Sequence, residues 1–161
     1  MDEKIQKAKK KDKVVAENRK ARHDYFILDT YECGIALTGT EIKSVRLGKV
    51  NLRDSYAKFE KGELWLMNAH ISPYEKASWY QHDPYQNRKL LMHKSELRKL
   101  SAKIKEKGLT LIPISLYLKE ERIAKVKLAL ARGKNAHDKR DAMSERDAKR
   151  SMSRELRNRN H

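Results

Sequence analysis

The stretch that decides the fold is a pair of runs, "LTLIPISLYL" (109–118) and "RIAKVKLALA" (122–131), joined by "KEE" (119–121). The second run mostly alternates between two sets of positions: Ile123, Val126, Leu128 and Leu130 against Lys125, Lys127 and Ala129. Two such runs around a short polar link predict an antiparallel hairpin with one solvated face. Pro113 cannot donate a ladder hydrogen bond, so we expect an edge position or a bulge there.

Further strand-like runs precede this hairpin: "DYFIL" (24–28), "YECGIALT" (31–38) and "DSYAKFEKGELWLMNAHI" (54–71). In the last of them, Gly62 can adopt the positive φ of a tight turn, which predicts a second hairpin around "EKGE" (60–63). About six short strands in roughly 110 residues are typical of a small barrel. The sequence therefore predicts a mainly β fold, an OB-like closed β-barrel with two or three short helices.

Two short helices interrupt the strands. Thr38, with Glu41 three residues later, matches a capping box, and Gly48 is placed to end that helix. Ser95 can cap the second helix, which we expect to end at Gly108. One face of this second helix is apolar: Leu97, Leu100 and Ile104.

Residues 73–89 combine aromatic residues with turn formers, so we expect an exposed loop. Trp79, Tyr80 and Tyr85 in this loop can stack on bases. Tyr25 and Phe26 are expected in the core rather than at such a surface.

The chain is strongly basic, with 38 Lys and Arg against 22 Asp and Glu and a formal net charge of +16. The excess is +5 in residues 1–22 and again +5 in residues 132–161. Such a field attracts polyanions, most often nucleic acid, although a charge run can also be simply a solvated face. Two basic ends on a basic body favour an RNA- or DNA-binding protein.

Cys33 is the one cysteine of the sequence, which excludes an intramolecular disulfide and a multi-cysteine zinc site. We expect it to be a buried apolar residue rather than a reactive thiol. No apolar run approaches the roughly 18 residues that span a bilayer, and the N-terminus is too charged for a signal peptide. The sequence therefore predicts a cytoplasmic protein without membrane contact.

Catalytic motifs are absent from the sequence: it has no Gly-rich phosphate loop, nucleophile elbow, HExxH or CxxC. The candidates for an acid–base pair or a metal site are three His-Asp dipeptides, at 23–24, 82–83 and 137–138. They lie on different kinds of segment, and adjacent strand residues point to opposite faces. We therefore expect no enzyme, no cofactor and no metal.

The two ends of the chain differ from its middle. Residues 1–17 have few apolar groups, which predicts a flexible basic N-terminal arm before a barrel over 18–132. Residues 133–161 form a basic C-terminal tail with a helical period and little apolar surface, so we expect it to be disordered when free and helical when bound. Its cationic stripe is Arg146, Arg150, Arg154 and Arg157, and Ala148, Met152 and Leu156 lie nearly opposite.

Four stretches together resemble the SmpB family, the SsrA-binding proteins of bacterial trans-translation: "NRKARHDYFI" (18–27), "TYECGIALTGTEIKSVRLGKVNLRDSYA" (30–57), "HDPYQNRKLLMH" (82–93) and "GKNAHDKR" (133–140). The resemblance implies an OB-like barrel that binds the tRNA-like domain of tmRNA. It also implies delivery, with elongation factor Tu, to the A site of ribosomes stalled on non-stop mRNA. The tail would lie as a helix in the empty mRNA channel, and the nascent chain would be tagged for degradation.

The same resemblance implies two sets of RNA-contact residues. The set for tmRNA is Asn18, Arg19, Lys20, Arg22, Glu32, Lys89, Leu91 and Lys125. The set for the decoding centre and mRNA channel is Gly133, Lys134, His137, Asp138, Lys139, Arg140, Arg146, Lys149, Arg150, Met152 and Arg154.

Physical chemistry supports several of these roles. Glu32 can accept hydrogen bonds from a base edge, and the basic residues at 18–22 can bind phosphate and sugar. Gly133 is expected to be a hinge. The alternatives are a surface turn for Glu32, core packing for Leu91, a solvated strand face for Lys125 and a solvated helix start for 18–22.

Two features depart from the family pattern. Asn135 stands where the family more often has Lys, and the tail has no Trp, so that Met152 and Leu156 would supply apolar contacts.

A structural ribosomal protein or an initiation-type OB protein would need similar basic arms, and composition does not separate these functions. A metal-dependent nuclease would need a carboxylate cluster, which the sequence lacks. We expect a monomer whose partners are tmRNA, the ribosome and, through tmRNA, elongation factor Tu.

Overall fold

The computed structural model describes residues 11–106 and 108–159. Its strands are β1 (Lys13–Glu17), β2 (Tyr25–Ile35), β3 (Val50–Asn51), β4 (Tyr56–Glu60), β5 (Glu63–Met67), β6 (His70–Ile71), β7 (Arg88–Leu91), β8 (Leu109–Lys119) and β9 (Ile123–Gly133). Its helices are α1 (Arg19–Asp24), α2 (Gly39–Arg46), α3 (Lys94–Ile104) and α4 (Ala136–Arg159).

Within the described residues, seven strands form one antiparallel sheet in the order β1-β8-β4-β5-β7-β2-β9. Because β8 also pairs with β9 along its length, the six strands from β8 round to β9 form a ring. β1 and β4 share one side of β8, since β4 pairs at Leu111 and β1 pairs over 115–118. The expectation of a mainly β fold with a few helices is confirmed.

The long hairpin predicted from 109–131 is confirmed as β8 and β9, and its register shifts between Pro113 and Ser115, which is the expected bulge. Its inner face fills the ring together with leucines of β5 and β7. The fully buried core side chains include Leu64, Leu66, Leu90, Leu111, Leu116, Val126 and Leu128. Each such leucine contributes about 1.5–3 kcal/mol of hydrophobic stabilisation. The predicted alternation fails at Ile123, which is exposed, and at Ala129, which is buried.

Local turn and capping signals were mostly predicted correctly. Lys61 and Gly62 both have positive φ, 50° and 76°, as the tight turn between β4 and β5 requires. Thr38 and Glu41 form the reciprocal capping box of α2. The prediction that Ser95 caps the next helix is wrong, because α3 begins at Lys94 and no side chain caps it.

Two strand boundaries differ from expectation. The runs 24–28 and 31–38 belong largely to one strand, β2, which is bent by a register shift between Ile27 and Asp29. Residues 13–17 are not part of a flexible arm, because they pair with the open side of β8, and Val15 and Ala16 pack against the core. Residues 1–10 of the predicted arm lie outside the described residues.

A buried ion pair fixes the start of β7. Arg88 Nε donates to Glu41 Oε1 over 2.8 Å, and both side chains are 1% exposed. Arg88 also donates to the carbonyls of Ala69 (2.7 Å) and Pro84 (3.1 Å), and Gln86 donates to the same carboxylate. The sequence predicted Arg88 in an exposed loop. This expectation is wrong, because Arg88 is buried and its guanidinium connects α2, through Glu41, with the backbone at Ala69 and at Pro84.

The tail is helical from Ala136 to Arg159, and residues 143–158 are exposed throughout. Its apolar side chains Met143, Met152 and Leu156 are all more than half exposed. Whether the free tail is disordered remains a prediction. Among the described helices, none is long and apolar enough to cross a membrane.

Candidate nucleic-acid interface

Strand register brings three of the predicted tmRNA-contact residues onto one outer face of the ring. On β2, Gly34 lies opposite Leu91 of β7 on one side and Lys125 of β9 on the other. Glu32 is two residues before Gly34, so it shares this face, while Cys33 between them is buried. Glu32, Leu91 and Lys125 therefore lie on three adjacent strands of one surface.

Leu91 lies next to Gly34 on this surface. A Cβ at position 34 would lie 3.4 Å from Leu91 Cβ, which is an ordinary van der Waals contact. Leu91 is nonetheless 49% exposed, which excludes the core-packing alternative for it. The result is a small apolar step between a carboxylate and a lysine.

Two lysines lie close to Glu32. Its Oε1 is 3.7 Å from Lys119 Nζ, and Lys127 lies directly opposite it on β9. Burial first, and then a hydrogen bond to the Glu32 carboxylate, raise the pKa of the Tyr117 phenol above its ordinary value. The Glu32 side chain is half exposed, so it can still accept hydrogen bonds from a ligand. A cavity of about 430 Å³ borders Glu32, Tyr117 and Lys127.

A second cavity, of about 450 Å³, adjoins the first at Ser115 and Lys127. It is lined by Arg19 and Arg22 of α1, by Lys127 and by Arg146 of α4. Its one lining carboxylate among the described residues, Glu17, lies 3.8 Å from Arg19. The structure thus joins two arginines predicted to bind tmRNA with an arginine from the predicted ribosome set.

Asn18 has a different position from the one expected. It is 6% exposed, its amide nitrogen donates to the carbonyls of Leu52 and Pro113, and its oxygen accepts from the Ala21 N–H. Direct contact with RNA does not fit these occupied polar atoms. Asn18 instead caps α1 and so positions Arg19 and the other basic residues of that helix.

Lys20 and Lys89 are occupied by surface ion pairs. Lys20 Nζ is 3.0 Å from Asp54 Oδ1, and Lys89 Nζ is 3.0 Å from Glu63 Oε1. Lys89 lies opposite Trp65 of β5 and lines neither of the two cavities, although it shares the outer face of β7 with Leu91.

The tail is joined to the body at Asp24. The Lys134 N–H donates to the Asp24 carbonyl over 2.8 Å, and Lys139 Nζ lies 3.3 Å from its carboxylate. A hydrogen bond from His23, and then Lys139, hold the pKa of Asp24 below its ordinary value. Gly133 still belongs to β9 and pairs with Tyr25, so the tail turns away after it.

Tyr25 and Phe26, which were both expected in the core, differ in their burial. Tyr25 is partly buried against the small cluster of Ala21, Ile112 and Ala131. Phe26 is 44% exposed, with Lys134 Nζ 5.0 Å from its ring centroid, so the core prediction is wrong for Phe26.

The remaining tail residues of the ribosome set lie along α4. Six of them have exposed side chains: Arg140, Arg146, Lys149, Arg150, Met152 and Arg154. His137 and Asp138 belong to the first turn of α4, and their side chains lie outside the described residues. Their proposed contacts stay predictions.

Sequence reasoning missed Lys119, Tyr117 and Lys127 as parts of this surface. The alternation of β9 placed Lys127 on the solvated face beside Lys125. That signal was sufficient to predict Lys127 as part of the same RNA-contact surface. Lys119 and Tyr117 needed the pairing of β8 with β9, which only the structure supplies.

The described His-Asp dipeptides have structural contacts. His23 Nδ1 lies 2.8 Å from Asp24 Oδ1. His82 is 2% exposed and bonds to Thr40 Oγ1 (2.8 Å) and to the Ile71 carbonyl (2.9 Å), while the neighbouring Asp83 is exposed.

Cys33 is 1% exposed and donates to the Val126 carbonyl, as expected for a buried thiol. Burial raises the pKa of Cys33 from 9.0 to about 12. We expect iodoacetamide at pH 8 to alkylate the folded protein roughly a thousandfold more slowly than the urea-unfolded chain, because the thiolate is the nucleophile. Mass spectrometry of timed samples measures both rates; equal rates would contradict the burial.

The comparisons with known proteins point to one family. The family model described as SmpB protein matches residues 15–158. The SsrA-binding protein of Symbiobacterium thermophilum is 56% identical over 153 residues, 95% of this chain and 97% of that protein. The SsrA-binding protein of Carboxydothermus hydrogenoformans is 58% identical over 146 residues, 91% of this chain and 97% of that protein.

A solved structure described as "tmRNA-SmpB: a journey to the center of the bacterial ribosome" also matches. It superposes with a TM-score of 0.64 at 60% identity and covers 75% of this chain and 85% of that chain. The family match and the relatives extend over nearly the whole sequence. The chain belongs to the SmpB family.

Proposed function

We propose that this protein is the RNA-binding adaptor of trans-translation, which binds the tRNA-like domain of tmRNA and brings it to ribosomes stalled on non-stop mRNA. The chain belongs to the SmpB family, and the observation that carries the proposal is the outer face around Glu32. There a half-exposed carboxylate lies beside two lysines, and the adjoining cavity is lined by arginines. Its relatives are SsrA-binding proteins, and the matching solved structure concerns tmRNA and the ribosome.

The surface chemistry suits a folded RNA. Arg19, Arg22 and Lys127 offer cations to backbone phosphates, which supply most of the affinity without selecting sequence. Glu32 accepts hydrogen bonds from a base amino group or a ribose hydroxyl, a contact that phosphates cannot satisfy. Leu91 supplies an apolar contact beside it.

The tail accounts for the action of the protein on the ribosome, as distinct from its binding of tmRNA. We propose that α4 enters the decoding centre and the empty mRNA channel, where its exposed arginines meet ribosomal RNA phosphates. The nascent chain is then tagged for degradation and the ribosome is released. The protein acts without chemistry of its own, as a cytoplasmic monomer, and elongation factor Tu joins through tmRNA.

Replacing Glu32 by Ala tests the proposal. We expect the affinity for the tRNA-like RNA to fall by tenfold or more, since the hydrogen bonds that a charged acceptor makes contribute about 1.5–3 kcal/mol. Filter binding or fluorescence anisotropy at one fixed salt concentration measures the change. The matched control is Glu60→Ala, which removes another exposed strand glutamate paired with a lysine, Lys58.

Unchanged affinity of Glu32→Ala would remove Glu32 from the interface. The function itself is tested by sequencing the RNA that co-purifies with the wild-type protein at moderate salt. Enrichment of tmRNA supports the adaptor, whereas ribosomal RNA alone would contradict it and favour a structural ribosomal role.

A further inference from the structure

A fully exposed tryptophan lies at the tip of the loop between β6 and β7. Trp79 is 99% exposed, and its neighbour Tyr80 is 63% exposed. Burial of an aromatic side chain normally stabilises a fold, but the exposed Trp79 side chain contributes no such stabilisation here. Trp79 is therefore available to a partner.

The loop that carries Trp79 is closed by a side chain. The Gln81 amide oxygen accepts from the Tyr74 N–H over 3.1 Å, and its nitrogen donates to the Tyr74 carbonyl over 2.9 Å. Gln81 thus binds both the N–H and the carbonyl of Tyr74. These two hydrogen bonds close a loop over residues 74–81, and we call this closing pair the neck of the loop. The tip residues project beyond this neck.

The chain after the neck is anchored in the interior. His82 is 2% exposed and bonds to Thr40 and to the Ile71 carbonyl. Arg88 holds the Pro84 carbonyl from the buried ion pair. The tip is therefore presented on a fixed base, which lowers the entropy that a partner must remove on binding.

The surface at the base of the loop is cationic. A cavity of about 280 Å³ there is lined by Lys43, Arg46, Lys49 and Lys76. Glu75 also lines it and is paired with Lys49 at 3.3 Å, so the cations are in excess. None of these four cations lines the two cavities near Glu32.

We infer that Trp79 and Tyr80 form a stacking site for unpaired bases of tmRNA, with the four cations at the loop base holding the flanking phosphates. The inference rests on the proposed function and adds a second contact region to it. Aromatic faces stack on any unpaired base, and adjacent cations bind the backbone of the same strand. One of the four cations, Lys49, is paired with Glu75, and the other three leave the loop base with an excess of positive charge. An apolar pocket of a protein partner would gain nothing from this excess, which is why RNA is favoured over protein.

Such a site would give selectivity that the phosphate contacts lack. Phosphates are the same on every RNA, whereas unpaired bases are offered only by loops, bulges and ends. A folded tRNA-like RNA presents such loops at fixed distances from its helices. The face around Glu32 and the loop of Trp79 would then bind together only to an RNA whose helices and unpaired loops have the right spacing.

The test uses full-length protein and a transcript of the tRNA-like domain of tmRNA. We expect Trp79→Ala to weaken binding about tenfold and Trp79→Phe to retain most of the affinity. Since Trp79 is almost fully exposed, neither change should affect folding. The matched control is Tyr56→Ala, which removes a 40% exposed aromatic from β4.

Fluorescence gives a readout of stacking itself. In a Trp65→Phe background, Trp79 is the remaining tryptophan, and we expect the tRNA-like RNA to quench its emission. Unchanged affinity of Trp79→Ala with no quenching would overturn the inference, as would quenching by ribosomes alone.

Failure of this inference is distinguishable from failure of the proposed function. If Glu32→Ala weakens binding while Trp79→Ala does not, the adaptor function stands and the stacking site is rejected. If wild-type protein does not prefer tmRNA to ribosomal RNA, the proposed function is rejected, and with it the assignment of the bases to tmRNA.

Discussion

Replacing Arg88 by Met is expected to lower the free energy of unfolding by about 3–5 kcal/mol, the cost of leaving a buried charge without its partner. The Glu41 side chain is 1% exposed in the intact pair, and the change removes its cationic partner. It also removes the donors to the Ala69 and Pro84 carbonyls. Urea unfolding followed by circular dichroism measures the loss as a lower midpoint.

The neighbouring residue on the same strand provides the control. Lys89→Met breaks an ion pair of similar length, 3.0 Å to Glu63, but both side chains are more than 40% exposed. Exposed pairs contribute about 0–1 kcal/mol, so this variant should unfold close to the wild type. Equal losses for Lys89→Met and Arg88→Met would contradict the role of burial.

Deleting residues 135–161 is expected to abolish peptide tagging on stalled ribosomes. The truncation keeps Lys134, whose N–H completes the joint with Asp24, so the body should fold normally. Affinity for the tRNA-like RNA should change by no more than about threefold, because the outer face around Glu32 is retained and few phosphate contacts are lost. Tagging is measured in a reconstituted translation reaction on a non-stop message.

A charge variant separates the helix from its cations. Full-length protein with Arg150 and Arg154 replaced by Glu keeps the length of α4 but reverses part of its exposed cationic stripe. We expect this variant also to lose tagging. Tagging by the truncated protein would reject the role of the tail altogether.

Local signals were sufficient for much of the fold. The turn at Lys61 and Gly62 and the capping box of Thr38 and Glu41 depend on residues close in sequence, so the sequence predicts them directly. The long hairpin followed from its period and short link. Its bulge followed from Pro113, whose missing N–H must be accommodated wherever the strand lies.

Long-range complementarity explains the failures. Residues 13–17 look too polar to fold alone, and they become a strand because β8 offers unpaired backbone groups. Arg88 looks like a loop residue because arginine is rarely buried without a partner. Glu41, which makes its burial possible, is 47 positions away.

The same limit applies to the candidate site. The sequence indicated Glu32, Leu91 and Lys125 separately, and strand register places them on one face. It also indicated Asn18, whose burial follows from backbone carbonyls of Leu52 and Pro113 that no local pattern reveals. RNA contact by Glu32, Leu91 and Lys125 remains a prediction.

The joint at Asp24 gives the C-terminal helix mechanical leverage. Lys134 and Lys139 attach the base of α4 to the end of α1, and the part of α4 after Lys139 extends about 30 Å beyond that pivot. A swing of about 10° at the pivot displaces the far end by about 5 Å, close to one helical pitch. A small rotation of α1 would thereby be amplified into a displacement of several ångströms at the opposite end of α4.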